Sequence, residues 1–134
     1  MKHIRLFENF DREESPHDRI TAIQNQYQTN QFLRDWHLKL IFPSAEDQKD
    51  VEDGILEHPA DDEESWTRGV WETGHHASER YPEIVGKEDE FTIIMEELVL
   101  QKALDGGDPS PDTYEKLEPI AIKIFREKYK FSKS

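Results

Sequence analysis

Ten carboxylates crowd one stretch of this chain: Glu46, Asp47, Asp50, Glu52, Asp53, Glu57, Asp61, Asp62, Glu63 and Glu64. On one continuous helix Glu46, Asp50, Asp53 and Glu57 would recur at i, i+4, i+7 and i+11, a stripe of negative charge about 16 Å long. Carboxylates in a row on a rigid rod can imitate the phosphates of a duplex, and so occupy a basic surface that normally holds nucleic acid. The plainer reading is a solvated helix face. In that reading Asp61, Asp62, Glu63 and Glu64 are first-turn acids suited to the helix dipole. Like charges at i, i+4 cost a helix a little, so the density is not free.

Trp66 and Trp71 follow directly, in a stretch with few other apolar residues. They are either core or exposed anchors of the kind that dominate interface hot spots. Combined with the acids, they define a candidate partner-binding set: Glu46, Asp50, Asp53, Glu57, Asp61, Asp62, Glu63, Glu64, Trp66 and Trp71. The partner this chemistry fits is a basic protein surface.

A second chemistry is metal binding. Glu72, His75 and Glu79 lie at i, i+3 and i+7 and share a face if their segment is helical. Glu-x-x-His is the ligand pair of four-helix di-iron carboxylate proteins. A complete site of that kind needs a second pair, and the other Glu-x-x-His here, Glu14 to His17, spans Pro16 at a helix start. His58 beside Asp61 and Asp62 is a looser cluster, and the adjacent His75 and His76 suit plain surface. Acid-x-x-acid spacings at Asp47, Asp50 and Asp53, and at Glu115 and Glu118, invite comparison with all-helical nucleotide pyrophosphatases that hold magnesium. A small metal-dependent hydrolase is therefore the competing class, with Glu72, His75 and Glu79 as weak ligand candidates. Nucleophilic catalysis has no support. There is no cysteine, no Gly-x-Ser-x-Gly, and no Gly-rich loop before Gly86 and Lys87. No catalytic residue and no cofactor are assigned.

The net charge of −13 is unevenly placed. Residues 1–43 are neutral, residues 44–112 carry −16, and residues 113–134 carry +3. Such a middle repels nucleic acid and anionic membrane and attracts basic partners. The basic end (Lys123, Arg126, Lys128, Lys130 and Lys133, interleaved with Phe125, Tyr129 and Phe131) should contact that acidic middle, within one molecule or by head-to-tail self-association. No apolar run approaches the roughly 20 residues of a membrane span. No apolar segment marks a secretory signal near the start. The expected location is the cytoplasm.

Helix signals dominate the elements that must position these groups. Ser15 and Pro16 open a first helix. Its apolar stripe (Ile20, Ile23, Tyr27, then Leu33, Trp36, Leu40) shifts phase near Asn30, and Pro43 ends it. Residues 36–42 alternate well enough to be a strand instead. Ser44 caps a second helix, with Val51 and Ile55 as its apolar face and an end at His58 and Pro59. Asp61 or Asp62 caps a third, weakened by Gly69 and Gly74, so that residues 67–73 could form a β-hairpin arm. The clearest helix covers 87–104, with Phe91, Ile94, Met95, Leu98 and Val99 in register, and Asp105-Gly106-Gly107 stops it. Ser110 and Pro111 start the last one, in which Pro119 forces a kink or a division. The expected fold is mainly α, an irregular bundle of four to six helices. Residues 1–14 form an extended N-terminal arm and linker, and residues 15–134 a single acidic helical domain.

The opening Met1-Lys2-His3-Ile4-Arg5-Leu6-Phe7-Glu8-Asn9-Phe10 resembles the short leaders of tailed-bacteriophage head proteins, which a maturation protease cuts after Leu-x-Glu or Ile-x-Glu. Leu6-Phe7-Glu8 matches that pattern, and the likeness covers residues 1–10. The resemblance implies a bacteriophage origin and host cytoplasm. It also implies the kind of role that small acidic helical phage proteins take: an accessory protein or inhibitor, a DNA mimic among them. A structural component of a larger assembly, docked by its two ends, is a third reading.

Overall fold

A computed structural model describes residues 15–129. Residues 1–14, for which an arm and linker are expected, with the Leu6-Phe7-Glu8 motif, and the basic residues Lys130 and Lys133 lie outside the described residues. The described part comprises six helices and one 3-10 turn: α1 (Pro16–Thr29), α2 (Gln31–Ile41), α3 (Ala45–Glu52), α4 (Glu63–Arg80), the turn Pro82–Ile84, α5 (Glu88–Leu104) and α6 (Thr113–Lys128). No strand occurs among the described residues. The alternatives of a strand at 36–42 and a β-hairpin arm at 67–73 are thereby overturned. Leu33, Trp36 and Leu40 bury one helical face of α2, and Trp66, Val70 and Ala77 do the same for α4.

Helix α5 is the axis of the molecule. It packs against α4, α6, α1 and α2. Its residues from Phe91 to Glu97 are all buried, as are Val99, Leu100 and Ala103. A helix surrounded by four others needs apolar residues on every side, so its sequence lacks the one-sided stripe of a surface helix. The close approach of α4 depends on Gly74. A Cβ at that position would lie 2.3 Å from the Glu88 carbonyl oxygen and 2.6 Å from Thr92 Oγ1.

Local signals set most helix starts. The Ser15 hydroxyl accepts from Asp18 N–H at 3.1 Å, Ser44 from Asp47 N–H at 3.1 Å, and Asp62 from Ser65 N–H at 3.3 Å. The phase shift near Asn30 is a true break. Asn30 leaves the helical conformation (φ −99°, ψ 116°), and its side chain accepts from Leu33 N–H to start α2.

Three expectations are corrected. The second helix ends at Glu52, not at His58, because Gly54 turns the chain through φ +81°. Ile55 therefore caps no apolar face and is 71% exposed. The last helix begins at Thr113 rather than Ser110, and the Thr113 hydroxyl donates to the Ser110 carbonyl at 2.7 Å. Pro119 does not divide it, and sits on its exposed side within one helix running to Lys128.

Candidate functional site

The end of α3 at Glu52 removes the carboxylate rod. Glu46 and Asp50 remain on the helix, Asp53 is its C-cap, and Glu57 lies in the following loop. Four acids in line for 16 Å are not built, because Gly54 reverses the chain between the third and the fourth. The remaining acids have separate roles. Asp61 receives both guanidinium nitrogens of Arg34, at 3.1 and 2.6 Å, and that hydrogen-bonded partner holds its carboxyl below the ordinary range. Asp62 caps α4. Glu63 accepts from Gln24 Nε2 at 3.2 Å, and Glu64 pairs with Arg68 one helical turn on at 3.3 Å.

What the fold assembles instead is a groove. A cavity of about 420 Å³ opens between the end of α2, the loop before α4, and α4 itself. Its walls are largely apolar, with Ile41 from the last turn of α2 and Phe42 just beyond it, Leu56 and Pro59 from the loop, and Trp66 and Val70 from α4. Its carboxylates, Glu57, Asp62 and Glu72, are exposed or half-exposed and form the rim. A second cavity of about 550 Å³ continues from it, sharing Thr73, His76 and Tyr114 as walls.

An aromatic cluster backs the first cavity. His37 stacks on Tyr27 with ring centroids 4.3 Å apart, and Trp66 meets His37 edge-on at 5.6 Å. His37 is 2% exposed and Trp66 6%. Burial drives the His37 pKa down to about 3, so its imidazole is neutral at physiological pH. His37 Nδ1 and Trp66 Nε1 are both buried without a hydrogen-bond partner among the described residues. His58 differs. Its Nδ1 accepts from Ala60 N–H at 3.0 Å, which leaves Nε2 as the donor to the Arg34 carbonyl at 2.9 Å. It fixes the loop that leads into α4.

Trp66 is thus core and cavity wall at once, and not a projecting anchor. Trp71 is half-buried against the core, with His17 stacked over it at 6.4 Å. The candidate ligands Glu72, His75 and Glu79 do share α4, and His75 Nε2 lies 3.6 Å from Glu79 Oε2. No group of three or more Asp, Glu or His side chains among the described residues is placed to hold a metal ion. On the basic last helix, Arg126 binds Glu83 at 2.5 Å and lies over the Tyr81 ring. This is an intramolecular contact between the basic end and the acidic middle.

Two buried ionisable residues escape a reading by surface pattern. Glu96 and Glu97 lie within the most apolar helix, and both are buried. Glu97 pairs with Arg19 of α1. Glu96 accepts from the Tyr114 hydroxyl at 2.9 Å, and burial pushes its pKa up to about 7. Two adjacent acids inside an apolar run are the signal that could have marked them.

No family model, curated protein or solved structure matches this chain. No helix among the described residues is long and apolar enough to cross a membrane.

Proposed function

We propose that this protein is an acidic interaction module that engages a basic protein surface through α3 and the loop that follows it. One observation carries the reading: α3 buries none of its residues. A helix that packs no side chain into the core adds little to folding, since helical stability in proteins comes chiefly from a packed apolar face. It presents Glu46, Asp47, Asp50 and Glu52 to solvent or half to solvent, and the loop adds Glu57. Glu46, Asp50, Glu52 and Glu57 enter no ion pair among the described residues. The same loop exposes Ile55 and Leu56, which gives the charged surface an apolar centre. Charge attracts and orients the partner, and the apolar pair is what desolvation can reward.

The test is binding of a Lys-rich peptide to the natural chain and to a variant with Glu46→Gln, Asp50→Asn, Glu52→Gln and Glu57→Gln. Affinity for the natural chain should fall steeply between about 0.05 and 0.5 M salt, because the reach of exposed charges shrinks from about 14 Å to about 4 Å across that range. The neutralised variant should lose most of both the affinity and its salt dependence. Equal binding by the two proteins would remove the proposal.

A further inference from the structure

We infer that the groove beside Trp66 receives a large apolar side chain carried on a basic segment of the partner, an inference that rests on the interaction reading above. The first cavity holds about 420 Å³, within the roughly 300–1,000 Å³ typical of ligand pockets. Its depth is apolar, and its rim carries Glu57, Asp62 and Glu72 with no Lys or Arg among its lining residues. An anionic ligand meets three like charges there, whereas a cationic segment meets three counter-charges on the way to an apolar floor. The groove continues past Thr73, His76 and Tyr114 into a second cavity. A length of chain suits that extended shape better than one compact molecule.

Gly69 offers a clean way to close the cavity. It lines the groove from α4, and a Cβ added there meets nothing within 4 Å. Gly69→Leu therefore fills the space while leaving every carboxylate in place, and Leu is a better helix former than Gly. The probes are a Lys-rich peptide with one central Phe and the same peptide with Ala in that place. The natural chain should bind the Phe peptide at least about ten-fold more tightly, the effect of burying one large apolar side chain. The Gly69→Leu variant should melt no lower than the natural chain, bind the two peptides equally, and keep its salt dependence. Equal affinity of the natural chain for both peptides, with steep salt dependence, would overturn the groove and leave the charged interface standing. A Phe preference that survives Gly69→Leu would also overturn it. If neither peptide binds at low salt, both readings fall together.

Discussion

The Tyr114 hydroxyl of α6 donates a 2.9 Å hydrogen bond to Glu96 Oε2, in the middle of the central helix. That contact places an ionisable group at the junction of the core and the groove, since Tyr114 also lines both cavities. Tyr27 on α1 lies close enough for the carboxylate to raise its pKa further, beyond the effect of burial.

Glu96 should make the protein less stable as pH rises from about 4.5 to about 7. Its pKa rises from an ordinary 4.5 to about 7 in the fold. Between those values the native state keeps a proton that the unfolded chain has released. The stability it contributes is complete below the unfolded value and is lost as pH rises through about 7, by roughly 3 kcal/mol. Urea unfolding of Glu96→Gln, which still accepts from Tyr114, should lack this loss and exceed the natural chain in stability at about pH 8. Parallel pH profiles for the two proteins would contradict the assignment.

His37 acts at the opposite limb. Its folded pKa is depressed from 6.5 to about 3, so its contribution is present above the unfolded value and disappears as pH falls through the folded one. The full loss is roughly 5 kcal/mol. Replacing His37 with Phe keeps a ring against Tyr27 and removes the titration. The difference in unfolding free energy between variant and natural chain should grow steadily in favour of the variant below about pH 6. A constant difference across that range would show that His37 is not the group responsible.

Two glycines in α4 should respond oppositely to the same change. Gly69→Ala meets no neighbour and should stabilise the helix by about 1 kcal/mol. Gly74→Ala drives a methyl group into the Glu88 carbonyl, a backbone atom that cannot rotate away. The strain of overpacking, about 1–3 kcal/mol or more, exceeds the gain in propensity. Melting temperatures moving in the same direction would refute the packing argument.

The ion pair of Arg19 with Glu97 is buried, at 3% and 6% side-chain exposure. Burial raises the Glu97 pKa, while Arg19 opposes the rise. Arg19→Met leaves Glu97 without its guanidinium and should cost about 3–5 kcal/mol. Adding Glu97→Gln removes the stranded charge and should restore most of that loss. A double variant as unstable as the sum of the two single variants would show that the pair is not coupled.

The helical framework was largely legible. Ser15, Ser44 and Asp62 start helices where their side chains accept from the N–H three residues on, a contact wholly contained in four residues. The phase shift at Asn30 and the stop at Gly106 were readable for the same reason. The candidate site was legible only in part. The acids were visible, but their arrangement on one rod assumed that α3 continues past Gly54, and a left-handed glycine ended it. Trp66 could be core or anchor by pattern alone, and its packing against Tyr27 and His37 decided the matter.

By itself, then, the sequence determined a mainly helical chain, most of its helix starts, and a concentration of negative charge between residues 44 and 112. These depend on neighbours in the chain or on composition. Tertiary structure alone decided that Glu96 and Glu97 are buried, that His37 is held neutral, and that the end of α2, the loop at Leu56 and α4 enclose a groove. Burial and cavity shape arise from residues tens of positions apart, brought together by the packing of four helices around α5, and no local pattern encodes that meeting.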